Sequence, residues 1–200
     1  GLTVAYLIHD SFRVEPGQTV LFHAAAGGVG LIAGQWLNAL GAKVIGTAGG
    51  ADKCALAKAN GYHHAIDYKS ADFEAEVMKL TDGEGVDVTY DSVGNDTMAR
   101  SLTSTRRHGT IIAFGQSSGP YLDFKITDLA KGSYKLSRPT LFHFVAAREW
   151  LEANAAKLFT AVTDGTLNIS INQKYSLEDV AKAHDALTSR ATTGSTIFTI

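Results

Sequence analysis

The chain has 200 residues, 45% of them hydrophobic and 19% charged, and 18 basic against 20 acidic residues leave a formal charge of −2. These values exclude disorder, collagen and coiled coil, and the lack of a basic excess argues against nucleic acid or an anionic membrane surface as partner. No apolar run approaches the ~18 residues of a membrane span, and the lone Cys54 makes neither an internal disulfide nor a structural zinc site, which points to a reducing cytoplasm.

The chain opens at Gly1, without Met, in a helical pattern carried by Leu2, Val4, Tyr6, Leu7 and Ile8; a helix over residues 1–12 is expected. Pro16-Gly17-Gln18 is a turn, and Thr19–His23 is a short, nearly continuous apolar strand of the kind a sheet covered on both faces requires. A helix should run from the glycines at 27–30 to Leu40, stopped by Gly41. Further strands are expected at Lys43–Thr47, His64–Tyr68, Val86–Tyr90, Thr110–Phe114 and Tyr134–Leu136, with helices at Asp52–Asn60 (Asp52 as its N-cap) and Asp72–Leu80. Alternating strands and helices mean parallel pairing, hence a doubly wound α/β (Rossmann) sheet of about six strands.

Beyond residue 142 the rhythm changes. Phe144–Thr163 reads as one long amphipathic helix, Leu167, Ile169 and Ile171 alternate, Ser176–Asp179 resembles a capping box before a helix at Val180–Leu187, and Ser195–Ile200 is a last strand. The expected division is 1–142 for the sheet domain and 143–200 for a segment that packs elsewhere. With an apolar run reaching Ile200, the chain reads as a piece of a longer protein.

A strand, then Ala25-x-Gly27-x-x-Gly30, then a helix is the dinucleotide fingerprint in its proper context. Gly27 lets backbone approach a pyrophosphate, Gly30 lets helix pack on strand, and the helix N-terminus presents free N–H groups to phosphate. Ala25 replaces the first glycine of the pattern. NAD enzymes carry an acid at the end of the second strand to hold the ribose 2′-hydroxyl. Here the strand ends in Thr47-Ala48-Gly49-Gly50. Lys53 and Tyr68, which taken singly read as a solvated lysine and a half-buried strand end, can both donate to a 2′-phosphate. The missing acid tips the pair towards NADPH.

The stretch His23-Ala24-Ala25-Ala26-Gly27-Gly28-Val29-Gly30 resembles the coenzyme loop of the NADPH:quinone oxidoreductases, the zinc-free, zeta-crystallin-like branch of the medium-chain dehydrogenase/reductase superfamily. Gly1-Leu2-Thr3-Val4, Asp91-Ser92-Val93-Gly94, Phe114-Gly115-Gln116-Ser117-Ser118-Gly119, Arg138-Pro139 and Ser189-Arg190-Ala191-Thr192 extend the resemblance over the whole chain. It implies a six-stranded coenzyme domain, a GroES-like catalytic domain encoded mostly before Gly1, and no metal in this part. It further implies that Gly28 and Val29 touch the pyrophosphate, and that Gly49, Gly50, Lys53 and Tyr68 surround the 2′-phosphate. Ser92 would lie near the adenine ribose, and Phe114, Gly115, Gln116 and Ser117, with Leu141 and Phe142, would line the nicotinamide end. Arg190 would reach the cofactor from the C-terminal segment, and Tyr6 would stand near the nicotinamide.

The implied activity is hydride transfer from NADPH to a quinone or activated enone, small molecules that need no strong general acid. A zinc-type alcohol dehydrogenase and a crystallin-like nucleotide-binding protein with little turnover are the alternatives. The resemblance also implies a homodimer through the coenzyme-domain edge strand, for which Pro120–Phe124 and Tyr134–Leu136 are candidates. Several residues carry no chemistry in this reading. His63 and His64 point to opposite faces of a strand, Cys54 reads as a small buried thiol, and nothing pairs Asp87 with Asp91 as acid and base. Ser117-Ser118 lacks a His-Asp set, and His184 reads as structural.

Overall fold

A computed structural model describes residues 1–200. Six strands form one parallel sheet: β1 (Thr19–Phe22), β2 (Lys43–Ala48), β3 (His64–Asp67), β4 (Val86–Asp91), β5 (Thr105–Ala113) and β6 (Lys135–Ser137). Their spatial order is β3-β2-β1-β4-β5-β6, the doubly wound arrangement, in which the direction of chain winding reverses beside β1. The helices are α1 (Leu2–Tyr6), α2 (Gly28–Ala39), α3 (Ala51–Lys58), α4 (Phe73–Leu80), α5 (Met98–Thr103), α6 (Leu141–Val145), α7 (Arg148–Thr163) and α8 (Val180–Thr188). Strands β7 (Ile171–Ser176) and β8 (Ser195–Thr199) pair parallel in a separate two-stranded sheet.

Side-chain alternation sends successive residues of each strand to opposite faces of the sheet. Val20, Phe22, Val44 and Ile112 join Val4, Leu7, Trp36 and Leu37 in the main core beneath α1 and α2. Leu21 and Ile45 turn the other way, onto Phe73 and Val77 of α4, and Ile111 meets Met98 and Leu102 of α5. Ala161 of α7 and Leu167 also belong to the main core.

The structure corrects several expectations. The leading helix is α-helical only to Tyr6; Leu7–Ser11 widens into a π-turn, and the buried Tyr90 hydroxyl donates to the Leu7 carbonyl at 3.1 Å. The N-cap of α3 is Gly50, not Asp52, which instead lies in the first turn where its charge suits the helix dipole. β5 begins five residues early. Val86 pairs with Thr105 and Val88 with Thr110, so the extra residues bulge out, with His108 at φ +62°.

The expected long helix is broken at Ala146–Ala147 into α6 and α7. No Gly or Pro forces the break. It lets Phe144 stack on Tyr6, with ring centroids 4.6 Å apart, while the Trp150 indole N–H donates to Asp10 at 3.2 Å. Residues 167–170 are not strand, and Pro120–Phe124 is an irregular segment whose Tyr121 and Phe124 pack on the Met98–Leu102 cluster. The edge at this end of the sheet is β6 alone. Ser176 makes no capping box: its hydroxyl donates to the Asp179 side chain at 3.0 Å, and a 3-10 turn at Leu177–Asp179 precedes α8.

Candidate coenzyme site

The crevice beyond the carboxyl ends of β1 and β4 is where open α/β sheets place their ligands. Here a cavity of about 280 Å³ lies against that crevice. Its floor begins at the turn after β1. Ala24 sits at φ +55°, a left-handed conformation that strains any residue with a Cβ, and strain of this kind clusters at ligand sites. Gly30 follows in the first turn of α2. A Cβ there would collide with the carbonyl oxygens of Ala24 and Ala25, so only glycine lets α2 seat so closely on the turn. Gly27 forms an isolated parallel bridge with Gly194, and the Gly194 N–H donates to the Ala26 carbonyl at 3.0 Å. The C-terminal segment is thereby fastened across the fingerprint.

The second wall comes from the end of β2. Gly50 adopts φ +107°, ψ 155°, a region nearly confined to glycine, and its N–H donates to the Asp67 carboxylate at 2.8 Å. That bond and one from the Lys69 N–H hold the Asp67 carboxyl below its usual range. Asp67 is thus engaged in shaping this turn. Tyr68 packs its hydroxyl against Gly49, where a Cβ would lie 2.6 Å away. Lys53 Nζ donates to the Arg190 carbonyl at 2.6 Å, and Arg190, itself at φ +59°, directs its guanidinium towards the Ser117 carbonyl at 3.4 Å.

Six of the expected residues line this cavity together: Gly27, Gly49, Lys53, Tyr68, Ser117 and Arg190. Gly28, Val29 and Gly30 continue the fingerprint into α2, and Gly50 caps α3 beside Gly49. Ser92, Phe114, Gly115 and Gln116 lie in two loops laced together by backbone bonds, Phe114 N–H to Asp91 at 2.8 Å and Ser117 N–H to Ser92 at 3.1 Å. Neither these eight nor the remaining three expected residues line the cavity. Tyr6 is buried under Phe144, Leu141 packs on the main core, and Phe142 is 79% exposed.

Sequence reasoning missed the far wall. Phe73 of α4, and Asp96, Thr97 and Arg100 at and within α5, line the cavity. The Arg100 guanidinium lies 4.3 Å over the Phe73 ring, within cation–π range, and pairs with Asp72 at 3.5 Å. The cavity thus holds Lys53, Arg100 and Arg190 against the single acid Asp96, a balance suited to an anion. No signal in the sequence pointed to Phe73 or Arg100, because their meeting depends on a helix, α5, that lacks a cap and is only six residues long.

Of the residues set aside, Ser117 lines the cavity, while His63, Asp87 and Cys54 do not. The His63 ring accepts from the Val44 N–H, Asp87 is bound by Arg106 and the Thr19 N–H, and burial pushes the Cys54 thiol up. The chain contains no group of three or more His, Cys, Asp or Glu side chains arranged to hold a metal, and no helix long and apolar enough to cross a membrane.

Residues 28–157 match the family described as zinc-binding dehydrogenase. The chain is 43% identical over 199 residues to a quinone oxidoreductase of Pseudomonas aeruginosa, covering 99% of this chain and 61% of that protein. It is 40% identical to a 2-haloacrylate reductase of a Burkholderia species, covering 99% of this chain and 60% of that protein. The crystal structure of the Escherichia coli quinone oxidoreductase complexed with NADPH superposes with a TM-score of 0.96 at 42% identity, over 100% of this chain and 62% of that one. The chain therefore spans about three-fifths of the length of these relatives. With its doubly wound sheet, its fingerprint turn and this match, the chain belongs to the zinc-binding dehydrogenase family.

Proposed function

We propose that this chain is the coenzyme-binding part of an NADPH-dependent oxidoreductase that passes hydride to a quinone or an activated enone. The observation that carries the reading is the cavity itself: a fingerprint turn on one side, three cations around the rest, and no acid free at the end of β2. The residues fit such a dinucleotide. The close seat of α2 on the turn leaves its N-terminal N–H groups facing the pyrophosphate position. Lys53 has three donors and uses one on Arg190, so two remain for a 2′-phosphate, with the Tyr68 hydroxyl beside them. Ser92 and the Phe114–Ser117 loop then lie along the path to the nicotinamide.

When bound, reduced nicotinamide supplies the hydride, and the chain's part is to orient it and exclude water. The likeness to both a quinone oxidoreductase and a 2-haloacrylate reductase supports an electrophilic acceptor in the quinone or activated-alkene class. The zinc-free assignment rests on the resemblance carried by His23–Gly30 and the further motifs. In this reading the exposed side of residues 143–200, a segment whose Ala161 and Leu167 join the main core, packs on a catalytic domain, β6 pairs with its copy in a homodimer, and the protein is cytoplasmic.

NADPH should bind at least tenfold more tightly than NADH, a difference of about 1.4 kcal/mol or more. Fluorescence titration with both cofactors measures it. Lys53→Ala should erase the gap while leaving NADH affinity alone; equal affinities in the unmodified chain would overturn the reading.

A further inference from the structure

Directly under the cavity lies a polar group that the proposed function does not use. His23, the residue before the strained Ala24, is fully buried. Its Nδ1 lies 2.8 Å from Thr47 Oγ1 and its Nε2 lies 3.0 Å from Ser101 Oγ. The Ser101 hydroxyl donates to Asp91 Oδ2 at 2.7 Å, and the Thr97 hydroxyl donates to both Asp91 oxygens at 2.9 and 2.8 Å. The N–H groups of Val93 and Gly94 donate to Asp91 Oδ1.

The direction of every bond follows from donor counting. Asp91 is ringed by donors, so its oxygens accept. Ser101 has one hydroxyl hydrogen, and it goes to Asp91; towards His23, Ser101 can therefore only accept. His23 must carry its proton on Nε2. Its Nδ1 is then an acceptor, and Thr47 must donate to it. A single chain of bonds runs from Thr47 through His23 and Ser101 to Asp91. It ties together the carboxyl ends of β2, β1 and β4 and the middle of α5. Of the residues lining the cavity, Thr47 and Thr97 bond to this chain directly, and Arg100 is the neighbour of Ser101 in α5.

We infer that His23 is a positioning residue for the coenzyme cavity: in its Nε2–H form it locks the end of β2 against α5, and so sets the distance between the β2 wall and the Arg100 wall. The inference rests on the cavity being a dinucleotide site.

Three measurements on the 200-residue chain test it. Long-range nitrogen–proton NMR should show His23 as the Nε2–H tautomer; an Nδ1–H tautomer would overturn the bond direction and the proposal with it. Thr47→Val, nearly isosteric but without the hydroxyl, should weaken NADPH at least tenfold at a temperature where the variant is folded, while Thr47→Ser stays within threefold of the parent. Parental affinity in a folded Thr47→Val chain would leave the relay a purely structural feature and end the proposal. Where Thr47→Val does not fold, the unmodified chain decides: NADP+ should move the His23 ring signals, and an unmoved ring in a chain that binds the dinucleotide counts against the proposal. Absence of any dinucleotide binding by the parent chain would instead strike the functional reading on which the inference rests.

Discussion

Gly30 is where the fingerprint is least forgiving, because its α-carbon faces two carbonyl oxygens with no room for a methyl group. Gly30→Ala should cost about 1–3 kcal/mol, the usual penalty of inserting a carbon into a packed site. Denaturant melts should show a lower midpoint with an unchanged slope. His23 offers a second check at this scale. Burial pushes its pKa down; Asp91 opposes and Arg100 adds to the fall. The folded chain therefore keeps it neutral at pH values where the unfolded chain, with an ordinary histidine near 6.5, takes up a proton. Above that value the ring is neutral in both states and contributes no slope. Below it the unfolded state binds more protons, so stability falls as pH falls. Urea midpoints from pH 8 to 5 should be flat at first and then decline. His23→Asn should flatten the decline in part, since His9 and His64 are shifted in the same direction by their own burial.

Among elements, β6 is an edge strand of the six-stranded sheet, as β3 is at the other end: it pairs with β5 and nothing else. Its unpaired backbone groups, on only three residues, make it the proposed seam of an isologous dimer. Light scattering at micromolar concentration should give the mass of two chains; one chain's mass would refute the pairing. The strands and α2 are legible because short apolar runs and glycine stops are local signals. The break before α7 was not. Nothing between Phe144 and Arg148 disfavours helix, and the turn is settled by where Tyr6 and Asp10 happen to stand. The same holds for the cavity. Gly27 and Tyr68 follow strand ends, and Lys53 lies in the first turn of the helix after β2, places that pattern alone locates, whereas Phe73 and Arg100 meet only because α4 and α5 pack side by side. Side-chain contacts across helices leave no period in the sequence.

For the molecule as a whole, the proposed hydride acceptor needs a pocket beyond the coenzyme cavity, and the chain covers 61% of the Pseudomonas quinone oxidoreductase it matches. The 200-residue chain should therefore bind NADPH yet turn over a simple quinone at no useful rate; robust steady-state turnover would mean the substrate pocket is built within it. The fastening of Gly194 to Ala26, and of Arg190 to Lys53 at a separation of 137 residues, also bears on how the site comes into being. Contacts between such distant parts of a chain form only after the closure entropy of the intervening segment has been met, and they slow folding accordingly. The sheet and its fingerprint turn can assemble from neighbouring βα units as they leave the ribosome. The side of the cavity built by residues 190–194 is made well after the fingerprint turn, so a nascent chain presents an open shelf before it can close the cavity.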